Sequence, residues 1–434
     1  MKQNHGKLPK PVAAVFDALH LTDPRPEPLL RATDQEWRQA LAFCDRSQLT
    51  LALRRLYRER MPDWVRERTD ADASKNSLRL TAIRDLYRNL SEWFSATGIA
   101  FVALKGLTQC PKFWPQAESR VQYDVDLYVP RVQILPARDL LLRQGFESIS
   151  GMDNSPTDHL PALIRKTGWQ WRGDYYDPEI PIAVELHFQF WNPDVERLSA
   201  PGVDLFWPRR TERSFAGLKL PVLSTADAVA YGGLHLLRHL LRGNVRPFHV
   251  LELAHFLNSH AHDDAFWRSW VSLHPPELRR LEAVSLRLAT AWFGGMVPEA
   301  VREEWTQLPN STRTWFERYA LSPAGSEFRP NKDEIWLHLS LITNRRDRWR
   351  VIRRRLLPER LPGPVDAVYV PDSQMNLRRR LRRRLLYLRY CTARFHHHLA
   401  TIPGTVISGL RFFLPGAAAL AATASLLSSR RRNS

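Results

Sequence analysis

Asp124 and Asp126 stand two residues apart in the segment Gln122-Tyr123-Asp124-Val125-Asp126-Leu127-Tyr128-Val129. Its alternation predicts a β-strand with both carboxylates on one face and Val125, Leu127 and Val129 on the other. Side chains at that spacing lie about 7 Å apart on a strand. Two acids on one face repel unless water, a base or a metal neutralises them. Magnesium suits such a pair, because it takes one or two carboxylates and completes its shell with water and substrate phosphates. Asp-x-Asp also occurs on solvated edge strands and in turns, so the pair needs support from its surroundings. A second alternating segment, from Ile182 to Phe190, puts Val184, Leu186, Phe188 and Phe190 on an apolar side and Glu185, His187 and Gln189 on a polar one. Laid beside the first strand, it would bring Glu185 in as a third carboxylate, to ligate the metal or to accept a proton from an attacking hydroxyl. His187 shares that face, placed to orient Glu185 or to contact substrate.

Upstream, Ile99 to Leu104 reads as a buried strand running into Lys105-Gly106 and a short helical segment. In a phosphate-binding turn, Gly106 would let the backbone approach the anion, the following amides would point at it, and Lys105 would add a point charge. An ordinary strand-to-helix turn with a snorkelling lysine has the same sequence. Downstream, His235 and His239 lie at i and i+4 on a helical segment, a spacing that two-histidine metal sites use. The glutamate that a zinc protease places directly after its first histidine is missing, and no third ligand is evident. Packing, or hydrogen bonding to Glu252, is therefore the favoured reading, with a substrate-facing role left open.

Leu104-Lys105-Gly106, then Arg120-x-x-x-Asp124-x-Asp126-Leu127-x-Val129, then Val184-Glu185-Leu186-His187 resemble the uncharacterised bacterial nucleotidyltransferase-like family of the DNA polymerase β superfamily. The resemblance is best from about Leu78 to Phe190. It continues where His235-Leu236-Leu237-Arg238-His239 precedes Val250-Leu251-Glu252-Leu253-Ala254. Two positions depart from the family pattern: Glu252 stands where Asp is commoner, and Gly106-Leu107 where Gly-Ser is usual, leaving Lys105 or Thr108 to stand in for the hydroxyl.

The resemblance implies an α+β fold, a minimal, polymerase β-like nucleotidyltransferase core of mixed sheet flanked by helices, with a large helical C-terminal region. It implies two magnesium ions held by Asp124, Asp126 and Glu185. Lys105, Gly106, Thr108 and Arg120 would bind nucleotide, although Arg120 could equally pair with a carboxylate. The implied reaction moves a nucleoside monophosphate from a nucleoside triphosphate to an unidentified acceptor hydroxyl. The alternative is a non-catalytic scaffold that binds an anionic partner or a membrane surface through basic C-terminal helices.

The elements that must position these residues can be read from caps and periodicity. Thr33 or Asp34 caps a helix containing Trp37, Leu41 and Phe43. From about Ser77 to Ser95, Ile83, Leu86, Leu90 and Phe94 fall at helical spacing and predict a face packed on the sheet, with Gly98 ending the helix. After Pro130 stops the Asp124 strand, Ile134–Arg143 reads as a helix, Phe146–Ile149 as a strand and Asp153–Asp158 as a loop. Leu163-Ile164-Arg165 and Trp169-Gln170-Trp171 predict an antiparallel addition beside the Glu185 strand. Ser224 or Thr225 opens a helix running to Leu241, closed by Gly243 and Asn244. These patterns divide the chain into an N-terminal helical region (1–76), a nucleotidyltransferase-like core (77–222), a helical domain (223–360), and a basic helix with an apolar tail (361–434).

The 434 residues carry a net charge of +18, which favours anionic partners without choosing among nucleotides, nucleic acid and acidic lipid. Nucleic acid is not favoured, because most of the 15 tryptophans read as core residues rather than stacking platforms. Three scattered cysteines suggest neither a disulfide framework nor a zinc site. No continuous apolar stretch follows Met1, so a cytoplasmic location is expected, with peripheral contact at the inner face of the cell membrane as an option. That option rests on the run Leu377 to Leu386, a basic amphipathic helix by its leucine spacing, and on the uncharged 405–428 segment interrupted by Pro415-Gly416.

Overall fold

Each polar-apolar alternation that marks an acidic strand is realised in a computed structural model, which describes residues 8–148, 158–215, 217–357 and 376–414. Among the described residues, seven strands form one mixed sheet: β1 Val102–Ala103, β2 Asp124–Tyr128, β3 Glu147–Ser148, β4 Leu163–Ile164, β5 Ala183–His187, β6 Thr211–Phe215 and β7 Leu218–Val222. Their order is β3-β4-β5-β2-β1-β7-β6. β2 and β5 pair in parallel, with Asp126 opposite Glu185 and Tyr128 opposite His187. β4 adds antiparallel to β5, as the alternation at Leu163 predicts.

Three strand expectations shrink. Of Ile182–Phe190 only Ala183–His187 is a strand, and Phe190 leaves the apolar face of Val184 and Leu186 to stack on Tyr128 at 4.1 Å in the other apolar cluster. Of Ile99–Leu104 only Val102–Ala103 is a strand, because the Ile99 amide closes the preceding helix on the Phe94 carbonyl and the Ala100 amide donates to Gln133 Oε1. Trp169–Trp171 is no strand either. The Trp169 indole donates to Asp177 Oδ2 at 2.7 Å, and Gly168 and Gly173, both at positive φ, bend the chain on either side. The expected strand end at Ile149, nearly all of the Asp153–Asp158 loop, and the tail beyond Leu414 lie outside the described residues.

The apolar face of the sheet (Val125, Leu127, Val184, Leu186) packs against Ile83, Tyr87, Leu90 and Phe94, one stripe of a helix spanning Asp63–Ala96. That helix is 34 residues long and starts well before the expected Ser77. Its first half buries polar groups, which hydrophobic periodicity cannot register. Asn76 Nδ2 donates to the carbonyls of Glu118 and Arg120, Arg79 Nε donates to the Gln122 carbonyl, and Arg79 Nη1 donates to the Ile180 carbonyl. One helix thus clamps the chain just ahead of both acidic strands. These bonds satisfy carbonyls that burial would otherwise leave unpaired.

The cap signals hold. Thr33 forms a capping box with Glu36, Ile134–Arg143 is a helix, and Ser224 caps Thr225–Leu241. Helices follow almost throughout, and a second apolar cluster joins the N-terminal helices to them, with Phe16 packed on Trp292 and Phe293.

Inside this helical part His274 is fully buried, with Nε2 3.2 Å from Asp227 Oδ1 and Nδ1 2.8 Å from Glu282 Oε1. Burial alone would depress the imidazole, but the carboxylates, Glu282 foremost, outweigh it and raise its pKa to about 9. A folded-state value above the ordinary 6.5 makes this stabilisation complete below about pH 6.5, and it is lost as pH rises through about 9. The shift corresponds to roughly 3 kcal/mol. The urea midpoint should fall across that window, and His274→Gln should flatten the fall. An identical slope in the variant would count against the charged pair.

Candidate active site

The register of β2 against β5 sets Asp126, Glu185 and His187 side by side, with a ligand atom from each within 4.8 Å of the others. Asp126 and His187 are almost completely buried, and Glu185 is partly open to the cleft. His187 Nε2 lies 3.2 Å from Asp126 Oδ1 and 3.7 Å from Glu185 Oε2, while its Nδ1 faces Asp158 Oδ2 at 3.5 Å. Burial would lower the imidazole pKa, but hydrogen bonds to Asp126, Asp158 and Glu185 hold it well above its ordinary value. Glu185 is likewise raised by burial and more than offset by His187 and His159, to about 2. Arg238 Nη1 closes the group from behind with a 2.6 Å ion pair to Asp158.

Asp124, expected as a metal ligand beside Asp126, is not a member of this three-residue group. Its Oδ2 faces Lys105 Nζ at 3.7 Å, and the same ammonium is 3.2 Å from Asp126 Oδ2. Lys105 therefore occupies the space between the two aspartates. Burial works against its charge, but Asp124, Asp126 and Glu185 overcome it and raise its pKa.

The turn after Lys105 is folded back on β2. Gly106 has φ +80°, and a Cβ there would collide with the Gln122 amide. That amide accepts from the Leu107 N–H at 2.9 Å and donates to the Asp124 carbonyl at 2.6 Å. The buried Thr108 hydroxyl donates to the Lys105 carbonyl. What the turn sends toward the acids is the Lys105 ammonium, while the first amide after Gly106 is committed to Gln122.

Of the two expectations for Arg120, the carboxylate pairing is the one present. Arg120 Nε donates to Glu252 Oε1 at 2.7 Å, with both side chains buried. Glu252 is consequently not the partner expected for His235 or His239. Those two face each other at 3.2 Å between Nε2 atoms, and His235 Nε2 also lies 3.2 Å from Lys105 Nζ. Burial, reinforced by the Lys105 charge, depresses His235, His249 and His239, the last to about 3. A neutral His235 can accept a hydrogen bond from Lys105, which holds the ammonium over the acids.

The acids and this histidine wall enclose a cleft of about 180 Å³, reached also by Arg242 and the exposed Arg246. Asp158, Arg238, Arg246 and His249 escape the sequence reading. His249 and Arg238 carry a weak signal, lying three residues before Glu252 and three after His235 on their helices. Asp158 comes from a loop and carries none.

The donor set suits a divalent cation. It offers two carboxylates and an imidazole within reach of one another, and the buried Asp126 Oδ2 has the Lys105 ammonium, 3.2 Å away, as its counter-charge. A model of the family described as uncharacterised nucleotidyltransferase matches residues 33–294, more than half of the 434. The chain belongs to that family. No curated protein and no solved structure matches it. The match makes the protein a nucleotidyltransferase enzyme, and it spans the capped helix at Thr33, both acidic strands and the histidine helix. This nucleotidyltransferase thus carries its acidic cluster inside the matched region.

Proposed function

We propose that the protein transfers a nucleoside monophosphate from a nucleoside triphosphate to an acceptor hydroxyl. In this reaction the acceptor oxygen bonds to the α-phosphorus, the bond from that phosphorus to the β-phosphate bridging oxygen breaks, and pyrophosphate leaves. The observation that carries the reading is the Asp126–Glu185–His187 cluster on adjacent parallel strands of a chain in this family.

Glu185 is the partly open member, so it takes the hydroxyl proton. Asp126 and Glu185 would hold magnesium through their carboxylate oxygens, with His187 beside them holding Asp126 by a hydrogen bond, and the ion when bound supplies charge neutralisation for the attacking and leaving oxygens. A second ion between Asp124 and Asp126 would have to displace Lys105. Arg246 and Lys105, which both line the cleft, suit the phosphates of the donor. Both the superfamily likeness of the motifs and the β2–β5 register support this assignment.

The test is magnesium-dependent binding of the four common nucleoside triphosphates, followed by calorimetry and thermal shift on the intact chain. Binding that requires the metal is expected. Binding that ignores it would overturn the assignment. Lys105→Met should tighten magnesium binding at least about tenfold, because a fixed ammonium 3–4 Å from the ligand oxygens opposes a second cation. Unchanged magnesium affinity would mean that the ammonium and the metal do not compete.

A further inference from the structure

The helix Leu377–Phe413 has 37 residues, nine arginines and no aspartate or glutamate. Its last third is docked. Thr401, Thr405, Gly409 and Phe412 are its buried residues, the Tyr319 hydroxyl donates to the Ser408 carbonyl, and the Trp336 indole donates to Ser408 Oγ. No residue of the helix before Thr401 is buried.

A different face carries large apolar side chains that the body does not cover. Leu377, Leu381, Leu385, Leu388, Phe395 and Leu399 recur at intervals of three, four or seven residues, and each is between 46% and 74% exposed. The same line runs on to Phe413, which is 58% exposed. At 1.5 Å per residue the stripe is about 55 Å long. Over its first turns it is bordered by Arg378, Arg382 and Arg389 on one side and by Arg380 and Arg384 on the other, as the 100° step between residues dictates.

We propose that this stripe seats the protein on an anionic phospholipid surface, with the leucines in the acyl boundary and the flanking arginines at the headgroups. An apolar line between two cationic rows is the pattern of a helix lying in a membrane interface. The arginines match the negative surface potential of acidic lipid, and their stems can lie along the apolar layer while their heads reach phosphate. Two other occupants fit worse. A second copy packed stripe to stripe would bring arginine rows against arginine rows, which like-charge repulsion opposes. Nucleic acid would pair with the arginines and leave the leucine line in water. The helix would lie on the surface rather than cross it, since among the described residues no helix is long and apolar enough to span a membrane.

The experiment is vesicle flotation of the full chain with phosphatidylcholine alone and with phosphatidylglycerol mixed in. The triple variant Leu381→Gln, Leu385→Gln, Leu388→Gln and the triple variant Arg378→Gln, Arg382→Gln, Arg389→Gln are floated alongside, with single-stranded RNA binding and sedimentation as controls. The expected result is flotation with the acidic vesicles only. It should fall more than about tenfold in the leucine variant even at low salt, and by about fivefold for each arginine removed. All the substituted side chains are exposed or nearly so, so the unfolding midpoint of the body should not move. The proposal is overturned if the full chain ignores acidic vesicles, if the leucine variant floats like the parent, or if the leucine changes abolish a dimer instead. RNA binding without vesicle binding would overturn it as well.

Discussion

Asp126→Asn is expected to lower nucleotidyl transfer by about a thousandfold or more. The amide keeps the shape of the carboxylate and one of its oxygens but loses the charge that a cation needs. Charge stabilisation by a bound metal amounts to several kcal/mol, and each ~1.4 kcal/mol is tenfold in rate. Asp126 sits at the centre of the site, within 3.2 Å of both His187 Nε2 and Lys105 Nζ, and it belongs to the one three-residue cluster among the described residues that could hold a metal. Glu185→Gln should come close to the same loss, because it removes both a ligand and the proton acceptor. Asp124→Asn should cost less, since Asp124 stands outside the cluster and faces the lysine. The check is the transfer rate with excess nucleotide and magnesium, beside circular dichroism and magnesium-dependent thermal shift. A loss of transfer with the metal-dependent shift intact would remove Asp126 as a ligand. Equal losses in the Asp124 and Asp126 variants would favour the ligand set read from the motif, with Asp124 in it.

The contrast between those two aspartates indicates where sequence reasoning stops. Both strands could be read because their alternation follows directly from one face being apolar and the other polar, and the pairing of Asp126 with Glu185 follows once the strands are neighbours. The caps at Thr33 and Ser224 could be read because a hydroxyl there satisfies amides that the helix leaves open. Three things were out of reach. The first half of the helix Asp63–Ala96 buries Asn76 and Arg79, so its inner face has no apolar period to find. Asp158 enters the site from a loop, where spacing carries no information. Asp124 stands apart from the Asp126–Glu185–His187 group because it faces Lys105, whose turn is folded back on β2 by Gly106 and Gln122. A strand pattern gives the face on which a carboxylate lies, and the tertiary neighbours decide what shares that face with it.

Arg120 and Glu252 allow the structural and nucleotide-contacting roles to be separated by stability rather than by activity. Both side chains are buried, and they join the segment leading into β2 to the helix Pro247–Ser259, 132 residues further along the chain. Burial pushes the Glu252 carboxyl up and Arg120 draws it back down. Without the guanidinium, that carboxyl must either stay charged in an apolar setting or take up a proton. Removing one partner of such a pair costs about 3–5 kcal/mol, whereas replacing both with apolar groups of similar volume is often neutral or stabilising. Arg120→Met should therefore lower the unfolding free energy by about that amount. Adding Glu252→Leu should recover most of it, which gives a large coupling energy in the double-mutant cycle. A nucleotide-contacting arginine would behave differently: its loss would leave stability nearly unchanged and raise the nucleotide KM, and Glu252→Leu would rescue nothing. Additive stability losses in the cycle would rule out the pair as the link between the sheet and the histidine wall.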